Sequence, residues 1–455
     1  MRALVVCALV AGAAAQTWSR IGSVLVGTNT SGTAGHRVAV SGDGYTVAYL
    51  EVYDGSEAVC PDAPDNECYL LKAYRYDHGG GNWTDLGSFL INDTDIASSR
   101  SLDVSYNGTR IAVGNGDTPG VDAGKVTVYA LNATAGAYEY EDEIDGGLSG
   151  NNTGFGASVT FNRDGTELYV GQPGTGTGVV RFYALSNGTW TSTGTVAGGT
   201  AGDSFGSAVD SGRLNASASR VVVCNYPGTT TFDATVYDVS GTTQTEVWQH
   251  EFNSTVLTEP ACAISADGST VVVGVSGVSQ NESVTDQGAV YTYTTNGNGT
   301  WYQRYAPVYG AAVDNTAFGT TVAVNADGTR IAVGSKAYTT QHADVYHGSG
   351  TTLTRIFAVT GTALGDAAND RGVRVGLDAP GRVLTVAVPD AAPSATGTVT
   401  VYRESVAPRS DNLNGAQIAG IVIGSVLGAV LLGTVYMTVT RTGGARDSTH
   451  DRLIQ

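Results

Sequence analysis

The chain has little positive charge. Among its 455 residues, 24 Lys and Arg stand against 42 Asp and Glu, which gives a formal net charge of −18 at pH 7. Such an acidic surface repels phosphate backbones and anionic lipids, and this argues against a nucleic acid partner. Because the acids are spread along the chain, we expect most of them to lie on a solvated face.

Catalytic and metal-binding patterns are also missing. The six His are scattered, and the five Cys do not have the spacing of a zinc site. Neither a serine nucleophile elbow nor a His-Glu-x-x-His helix is predicted. The sequence therefore predicts no enzyme, no cofactor and no bound metal.

Helical periodicity is absent between residues 16 and 403, where one pattern recurs seven times instead. Each copy has an apolar run, a tight turn, a second run ending near Val-Gly and a third ending near Tyr. The clear turns end in Gly, usually after Asp or Asn, and occupy residues 41–44, 105–108, 162–165, 265–268, 325–328 and 378–381. A degraded fourth copy lies between Asp210 and Arg220. The period of about 56 residues indicates a four-stranded propeller blade rather than a helix pair.

Aromatic residues mark the third and fourth strands of the copies. Tyrosines that are expected to pack between neighbouring sheets stand at Tyr76, Tyr129, Tyr183, Tyr237, Tyr293, Tyr346 and Tyr402. Fourth strands are predicted to begin near Trp83, Trp190, Trp248 and Trp301. The last copy lacks such a strand, whereas the segment Trp18-Ser19-Arg20-Ile21-Gly22 is a strand without a copy. We expect this segment to complete the seventh blade and close the ring.

Three segments begin with Phe-Gly and continue into a strand: Phe155-Gly156-Ala157-Ser158-Val159, Phe205-Gly206-Ser207-Ala208-Val209 and Phe318-Gly319-Thr320-Thr321-Val322. They resemble the FG-GAP repeats of integrin α-subunit propellers. The resemblance implies a seven-bladed β-propeller on a cell-surface protein that binds extracellular ligands, with calcium in several blades.

The calcium loop of that family is missing from this chain. Calcium takes about six to eight oxygen ligands, usually from several carboxylates. The turns at Asp164, Asp267 and Asp327 offer one carboxylate each, and the nearest acidic cluster, Asp117 with Asp122, is sparse. No calcium site is therefore predicted.

The ends of the chain predict a membrane topology. Residues 1–15 have an early Arg, an apolar stretch and small residues before Gln16, as in a cleaved secretory signal. Residues 418–439 carry no charge and are long enough to cross a hydrocarbon core of roughly 30 Å as a helix. Arg441 and Arg446 follow this span and favour a cytoplasmic C-terminus. The prediction is a type I protein of the plasma membrane or another secretory-pathway membrane.

The predicted organisation is a signal peptide (1–15), a propeller (16–405), a juxtamembrane linker (406–417), a transmembrane helix (418–439) and a cytoplasmic tail (440–455). The fold class is all-β: a seven-bladed β-propeller closed by the N-terminal strand, plus a single C-terminal transmembrane α-helix. Gly420, Gly424 and Gly428 share one face of that helix, where small residues allow a partner helix to approach. A homodimer through this face and the general frequency of glycine in membrane helices are equally good explanations.

Eleven Asn-x-Ser/Thr sequons predict glycosylation after secretion. They begin at Asn29, Asn82, Asn92, Asn107, Asn132, Asn151, Asn187, Asn215, Asn253, Asn281 and Asn298. None follows Asn298, so the last two blades form a sector without acceptor sites. This sector is either a contact surface or a chance gap in a Thr-rich chain.

Four cysteines remain after the signal, an even number that suits an oxidising compartment. Cys60 and Cys68 bracket a polar insertion and are expected to pair with each other. Cys224 ends a second strand and Cys262 lies in the next first strand, so a bridge between adjacent blades is the second expected pair.

The leading functional hypothesis is a surface glycoprotein that binds an extracellular protein or glycan. Loops between second and third strands vary most in length, and variable loops on a rigid scaffold often bind ligands. The loop between Cys60 and Cys68 is the first choice, with Asp62, Asp65 and Glu67 as contacts. Two alternatives stay open: a structural coat glycoprotein that assembles laterally, and a propeller glycosidase with carboxylates around a central pocket.

Overall fold

The fold is built entirely from β-strands over the residues that the computed structural model describes. These are residues 17–27, 33–53, 68–91, 99–116, 124–147, 153–174, 176–199, 202–225, 231–254, 261–280, 284–296, 298–312, 316–336, 342–360, 372–389 and 396–405. They form 30 strands in seven sheets. None of these residues belongs to a helix long and apolar enough to span a membrane. The predicted signal peptide and the predicted span at 418–439, with its three glycines, lie outside the described residues.

Two short strands precede the first blade: β1 (Trp18–Arg20) and β2 (Leu25–Val26). Blade 1 contains β3 (Thr33–Val40), β4 (Thr46–Tyr53), β5 (Cys68–Asp77) and β6 (Asn82–Ile91). Blade 2 contains β7 (Ser99–Val104), β8 (Arg110–Gly116), β9 (Lys125–Asn132) and β10 (Ala137–Asp145). Blade 3 contains β11 (Ser158–Phe161), β12 (Glu167–Gln172), β13 (Val179–Ser186) and β14 (Thr189–Ala197).

Blade 4 contains β15 (Ala208–Asn215), β16 (Ala218–Asn225), β17 (Thr231–Ser240) and β18 (Thr243–Asn253). Blade 5 contains β19 (Ala261–Ile264), β20 (Thr270–Val275), β21 (Ala289–Thr295), β22 (Trp301–Gln303) and β23 (Val308–Tyr309). Blade 6 contains β24 (Thr321–Val324), β25 (Arg330–Gly334), β26 (His342–Ser349) and β27 (Thr352–Thr360). Blade 7 contains β28 (Arg374–Leu377), β29 (Val383–Val388) and β30 (Thr398–Glu404).

The seventh blade is completed from the start of the chain, as the sequence predicts. Its strand order is β1-β30-β29-β28, and β2 also pairs with β30. The Ile21 amide donates to the Val401 carbonyl at 2.9 Å, and Leu25 pairs with Val399. The seven-bladed propeller and its closure by the N-terminal strand are therefore confirmed.

The repeated turn is held by the side chain of its first residue. In each clear copy this residue is Ser, Asn or Asp, and its side-chain oxygen accepts the backbone amide five residues later. The acceptors are Ser41, Ser105, Asn162, Ser265, Asn325 and Asp378. Because these residues satisfy an amide that the tight turn leaves open, the motif is structural in every blade.

The same turns also join the blades to each other. Backbone hydrogen bonds of 2.8–3.0 Å link the turns of blades 1 and 2, 7 and 1, 6 and 7, 5 and 6, and 4 and 5. For example, Gly42 donates to the carbonyl of Tyr106 and accepts from the amide of Ala379. The inner turns therefore form a nearly continuous hydrogen-bonded ring.

The glycine of the Val-Gly dipeptide in one blade contacts the glycine of the Phe-Gly dipeptide in the next blade. Gly114, near the end of a second strand, lies against Gly156 of the next blade, and a Cβ at Gly114 would stand 2.2 Å from the Gly156 carbonyl oxygen. Gly156 itself has a φ of +90°. Gly171 with Gly206, and Gly274 with Gly319, repeat the arrangement. Successive blades thus approach so closely that only glycine fits.

The core lies between blades, and the tyrosines of the third strands contribute to it. Tyr129, Tyr183, Tyr293 and Tyr346 are buried, as predicted. The predicted start of the fourth strand is wrong in blade 4, because β18 begins at Thr243 and Trp248 lies in its middle. There the hairpin after Ser240 is tight, so pairing starts before the tryptophan.

One predicted disulfide joins adjacent blades. Cys224 of β16 is bonded to Cys262 of β19, with their Cα atoms 6.5 Å apart. Cys68 is also disulfide-bonded, and its predicted partner Cys60 lies outside the described residues.

Replacing Trp18 tests the contact that seats the closing strand. The Trp18 ring stacks on Phe357 of blade 6 with centroids 5.0 Å apart. Because Trp18 is half-buried, we expect Trp18→Ala to lower the free energy of unfolding by about 2 kcal/mol in thermal or chemical denaturation. Tyr302→Ala, which removes an aromatic ring that is 51% exposed on the outer strand of blade 5, is the matched control. Equal stability losses in both variants would contradict this account.

Candidate functional site in the central channel

The centre of the ring is a channel lined by the first strands of all seven blades. These strands are β3, β7, β11, β15, β19, β24 and β28, and each packs against the next around the ring. They enclose a cavity of about 300 Å³. The inner turns line one end of this cavity.

One position of the first strand shows that the channel wall is not uniform. Aligning the copies on their turns places the following residues at the same level: Ala39, Asp103, Thr160, Asp210, Ala263, Ala323 and Gly376. Blades 2, 3 and 4 carry polar side chains there, whereas blades 5, 6, 7 and 1 carry Ala or Gly. The channel therefore has a polar wall facing an apolar one.

Asp103 connects blade 2 to blade 3. Its carboxylate accepts the amide of Phe161 on the neighbouring first strand at 2.8 Å and the amide of Val104 on its own strand at 2.8 Å. Amides at the inner edge of a blade have no neighbouring strand to bind. The carboxylate of one blade therefore accepts the hydrogen bond that a neighbouring strand would otherwise accept from the next blade.

Asp210 repeats this arrangement between blades 4 and 5. It accepts the amides of Ile264 and Ser211, each at 2.8 Å. Between these two acids, Ser211 donates its hydroxyl to the carbonyl of Phe161, and the Thr160 hydroxyl donates to Asp210 at 3.4 Å. We call this continuous set the polar belt: Asp103, Thr160, Phe161, Asp210, Ser211 and Ile264.

Burial raises the pKa of both carboxyl groups. It raises the pKa of Asp103 to about 7, and the charge of Asp210 adds to the effect, while the amides of Phe161 and Val104 oppose it. Burial likewise raises the pKa of Asp210 to about 6 against the same kind of amide contacts. Both groups face the cavity, yet the surrounding protein replaces most of the water that would stabilise their charge.

An arginine and a tyrosine stand where the ring of turns is interrupted. Arg163 occupies the turn position of blade 3, and its guanidinium carbon lies 4.3 Å from the centre of the Tyr106 ring of blade 2. Arg163 also donates to the Tyr106 hydroxyl at 3.2 Å. A cation–π contact thus replaces the backbone hydrogen bond that joins other turns, and it gives the channel mouth a polar side.

The channel carboxylates are the residues that the sequence reasoning missed. The signal was available, since Asp103 and Asp210 stand where other aligned copies have Ala, Thr or Gly. A carboxyl with a raised pKa can exchange a proton near neutral pH, which general acid catalysis requires. However, both groups are engaged by backbone amides, and no group of three metal-ligating side chains occurs among the described residues.

One segment matches the serine nucleophile motif in its sequence but not in its structure. Gly202-Asp203-Ser204-Phe205-Gly206 matches Gly-x-Ser-x-Gly in sequence, although no nucleophile elbow is predicted. Ser204 has a φ of +51°, and Ala317, at the equivalent place in blade 6, has +41°. An elbow requires a strand before the serine and a helix after it. Here the serine belongs to the turn that precedes a first strand, so the motif is part of the repeat.

The sequence-predicted ligand contacts Asp62, Asp65 and Glu67 lie outside the described residues. The strands on either side are anchored, because Tyr53 pairs with Cys68 and both are buried. Of the sequons, Asn29, Asn92, Asn151 and Asn281 also lie outside the described residues. The other seven are described and none of them is buried.

Neither the models of known protein families nor the curated protein sequences give a match to this chain. The resemblance to FG-GAP repeats is therefore not confirmed. Among solved structures, the chain is similar to hydrazine synthase of Kuenenia stuttgartiensis, with a TM-score of 0.53 and 13% identity over 86% of this chain and 100% of that one. It is also similar to Raptor of Chaetomium thermophilum, with a TM-score of 0.53 and 10% identity over 86% of this chain and 29% of that one. Such similarity shows the propeller fold alone.

The raised pKa values predict how stability depends on pH. Because Asp103 holds its proton in the folded state up to about pH 7 but in the unfolded state only to about pH 4, the folded state binds more protons between these values. This contribution to stability is complete below about pH 4 and is lost as the pH rises to about 7. We expect it to amount to about 4 kcal/mol.

Denaturation of Asp103→Asn at pH 5 and pH 8 measures this effect. The variant loses one acceptor and is less stable at pH 5, but its stability falls less than that of the wild type between the two pH values. Asp164→Asn, on an exposed turn, is the control and keeps the wild-type slope. An unchanged slope in Asp103→Asn would contradict the assignment.

Proposed function

We propose that this chain is a single-pass type I membrane glycoprotein whose extracellular propeller binds a protein or glycan ligand. The observation that carries the proposal is the position of the sequons. Those within the described residues lie in turns or at the ends of strands: Asn82, Asn107, Asn132, Asn187, Asn215, Asn253 and Asn298. About a third of the described residues lie in strands and are buried, so chance sequons would also fall in the interior.

The disulfide supports the same compartment. Cys224 is buried and Cys262 is half-buried, and the two are bonded between adjacent blades in a chain with few cysteines. Disulfides of this kind persist in secreted and cell-surface proteins and are rare in the cytosol. The predicted signal at 1–15 and span at 418–439 are consistent with this compartment.

Ligand binding is proposed for the face that carries the loops between second and third strands. The opposite face is occupied by the hydrogen-bonded inner turns, which leave little backbone available. The loop that contains Asp62, Asp65 and Glu67 leaves blade 1 between Tyr53 and Cys68, two buried residues of a paired register. Both ends of the loop are therefore held by blade 1.

A lateral coat is the second candidate, and the sector without sequons favours it. No sequon follows Asn298, so the one acceptor next to a strand of blades 6 and 7 is Asn29, which comes shortly after β2. A coat protein would use the rim of these blades for packing and would need no soluble ligand.

A propeller glycosidase is the third candidate, because Asp103 and Asp210 face one channel and have raised pKa values. The amides that bind both carboxylates argue against a catalytic role. Hydrolysis of chromogenic glycosides that is abolished by Asp103→Asn and by Asp210→Asn would establish this candidate instead.

Deleting the blade 1 loop tests the recognition function. The multimerised propeller, residues 16–409, is applied to arrays of glycans and extracellular proteins. We expect saturable binding to one ligand class and at least a tenfold loss when residues 61–67 are replaced by a Gly-Ser linker, because the three carboxylates are removed. The matched control replaces Asp62, Asp65 and Glu67 by Asn, Asn and Gln and separates charge from loop shape.

Two results would contradict the proposal. Binding that survives the loop replacement unchanged removes the loop from the site. A folded propeller that binds nothing on the arrays favours the coat instead.

A further inference from the structure

The outer strand of blade 2 is unlike the outer strands of the other blades. β10 (Ala137–Asp145) carries five acids in nine residues: Glu139, Glu141, Asp142, Glu143 and Asp145. The six other outer strands together carry three: Asp85, Glu246 and Glu251. Among the outer strands, the acidic residues are therefore concentrated in that of blade 2.

Only part of this charge is neutralised within the blade. Arg110 binds Glu141 at 2.9 Å, and Lys125 lies 3.3 Å from Glu143 on the exposed surface. Glu139 and Asp145 accept hydrogen bonds from neutral groups, the Asn132 amide and the Gly147 backbone. The edge thus keeps a net negative charge.

The edge of β10 is also available for a contact. In its sheet β10 pairs with β9 alone, so its outer backbone groups have no strand beside them among the described residues. Tyr140, in the middle of the strand, is 62% exposed. Aromatic rings are enriched at interaction surfaces, and an unpaired strand edge is open to a second chain. The neighbouring sequon Asn132 lies at the β9–β10 hairpin, at the other end of the strand from Asp145.

The rim formed by blades 6 and 7 has the opposite character. Its outer strands, β27 and β1, contain Arg355 and Arg20 and no acid. Trp18 stacks on Phe357 at 5.0 Å, which joins the two strands into one surface. The Arg355 side chain is 59% exposed, and the nearest acid, Asp344, lies 3.6 Å away and is buried. No sequon follows Asn298, and the one nearest to these strands in sequence is Asn29, after β2.

We propose that the acidic edge of blade 2 in one copy binds the arginine rim of blades 6 and 7 in a second copy. The two surfaces differ in charge, and around a ring of seven blades they lie on different sides. The contact is therefore heterologous, and each bound pair keeps one free surface of either kind, to which further copies can add as a row or as a closed ring. This inference rests on the proposed membrane anchorage, but it does not depend on the proposed ligand or on the blade 1 loop.

A single contact of this kind is weak. Exposed ion pairs contribute about 0.2–1 kcal/mol each and are screened by salt. Rows therefore need many copies held close together, as on a membrane. At 0.5 M salt we expect the rows to dissociate.

Charge exchange between two tagged forms of the full chain tests the proposal. The acidic edge is reversed by Glu139→Lys with Asp145→Lys, and the arginine rim by Arg20→Glu with Arg355→Glu. The forms are co-expressed in pairs and cross-linked on cells with a low concentration of cross-linker. The products are then captured through one of the two tags.

We expect the wild type to give a ladder of cross-linked species beyond the dimer. For each reversed form expressed alone, the amount of captured partner falls at least tenfold, because like charges then face each other. The two reversed forms together regain a dimer, because the lysine edge of one meets the glutamate rim of the other. The control, Glu246→Lys with Glu251→Lys on the outer strand of blade 4, changes the same charge elsewhere and keeps the ladder.

Three outcomes would overturn the inference. The wild type gives no species beyond the monomer. Co-capture is unaffected by both reversals, as a dimer through Gly420, Gly424 and Gly428 predicts. Reversal of the acidic edge abolishes co-capture but the mixed pair does not restore it, which indicates a different basic partner.

Discussion

The structure depends on each blade covering the face and the inner edge of the next. No blade can bury its apolar face alone, so the ring must close before any sheet is fully packed. The repeated residues therefore act mainly through contacts between blades. The glycine pair Gly114 and Gly156 sets how closely neighbours approach, and the hydrogen-bonded turns join them at the channel. The strand β1, taken from the other end of the chain, completes the last sheet.

The departures from the repeat lie together and suggest where function resides. Asp103 and Asp210 place two carboxyl groups in blades 2 and 4, where other copies have small side chains, and the polar belt runs between them. Burying carboxylates costs free energy, which the amides of Phe161 and Ile264 partly offset. Blade 2 carries both the first channel acid and the acidic outer strand, whereas blades 6 and 7 have small residues at the same level of the channel and no sequon after Asn298. A ring with such different sides can orient itself against partners.

Much of this fold is predictable from the sequence, because the turn motif recurs in phase. The blade number, the closing role of Trp18 to Ile21 and the pair Cys224 with Cys262 all follow from residue order within one copy. The channel acids do not follow, since a carboxylate from blade 2 meets an amide of blade 3 only after the ring has closed. The start of β18 at Thr243 was missed because hairpin tightness, and not the position of Trp248, decides where pairing begins. Ser204 lies in a Gly-x-Ser-x-Gly match that the repeat explains as a turn before a first strand.

Hydrogen exchange at four backbone amides tests most directly whether carboxylates replace missing strands at the inner edge. Phe161 and Ile264 receive a carboxylate from the preceding blade, whereas Val324 and Leu377, at the same level of blades 6 and 7, follow blades that carry Ala263 and Ala323. The account predicts that the first two amides exchange at least tenfold more slowly than the second two, although all four border the same channel. Equal exchange at all four positions would contradict it, because the carboxylates would then contribute nothing to holding the blades together.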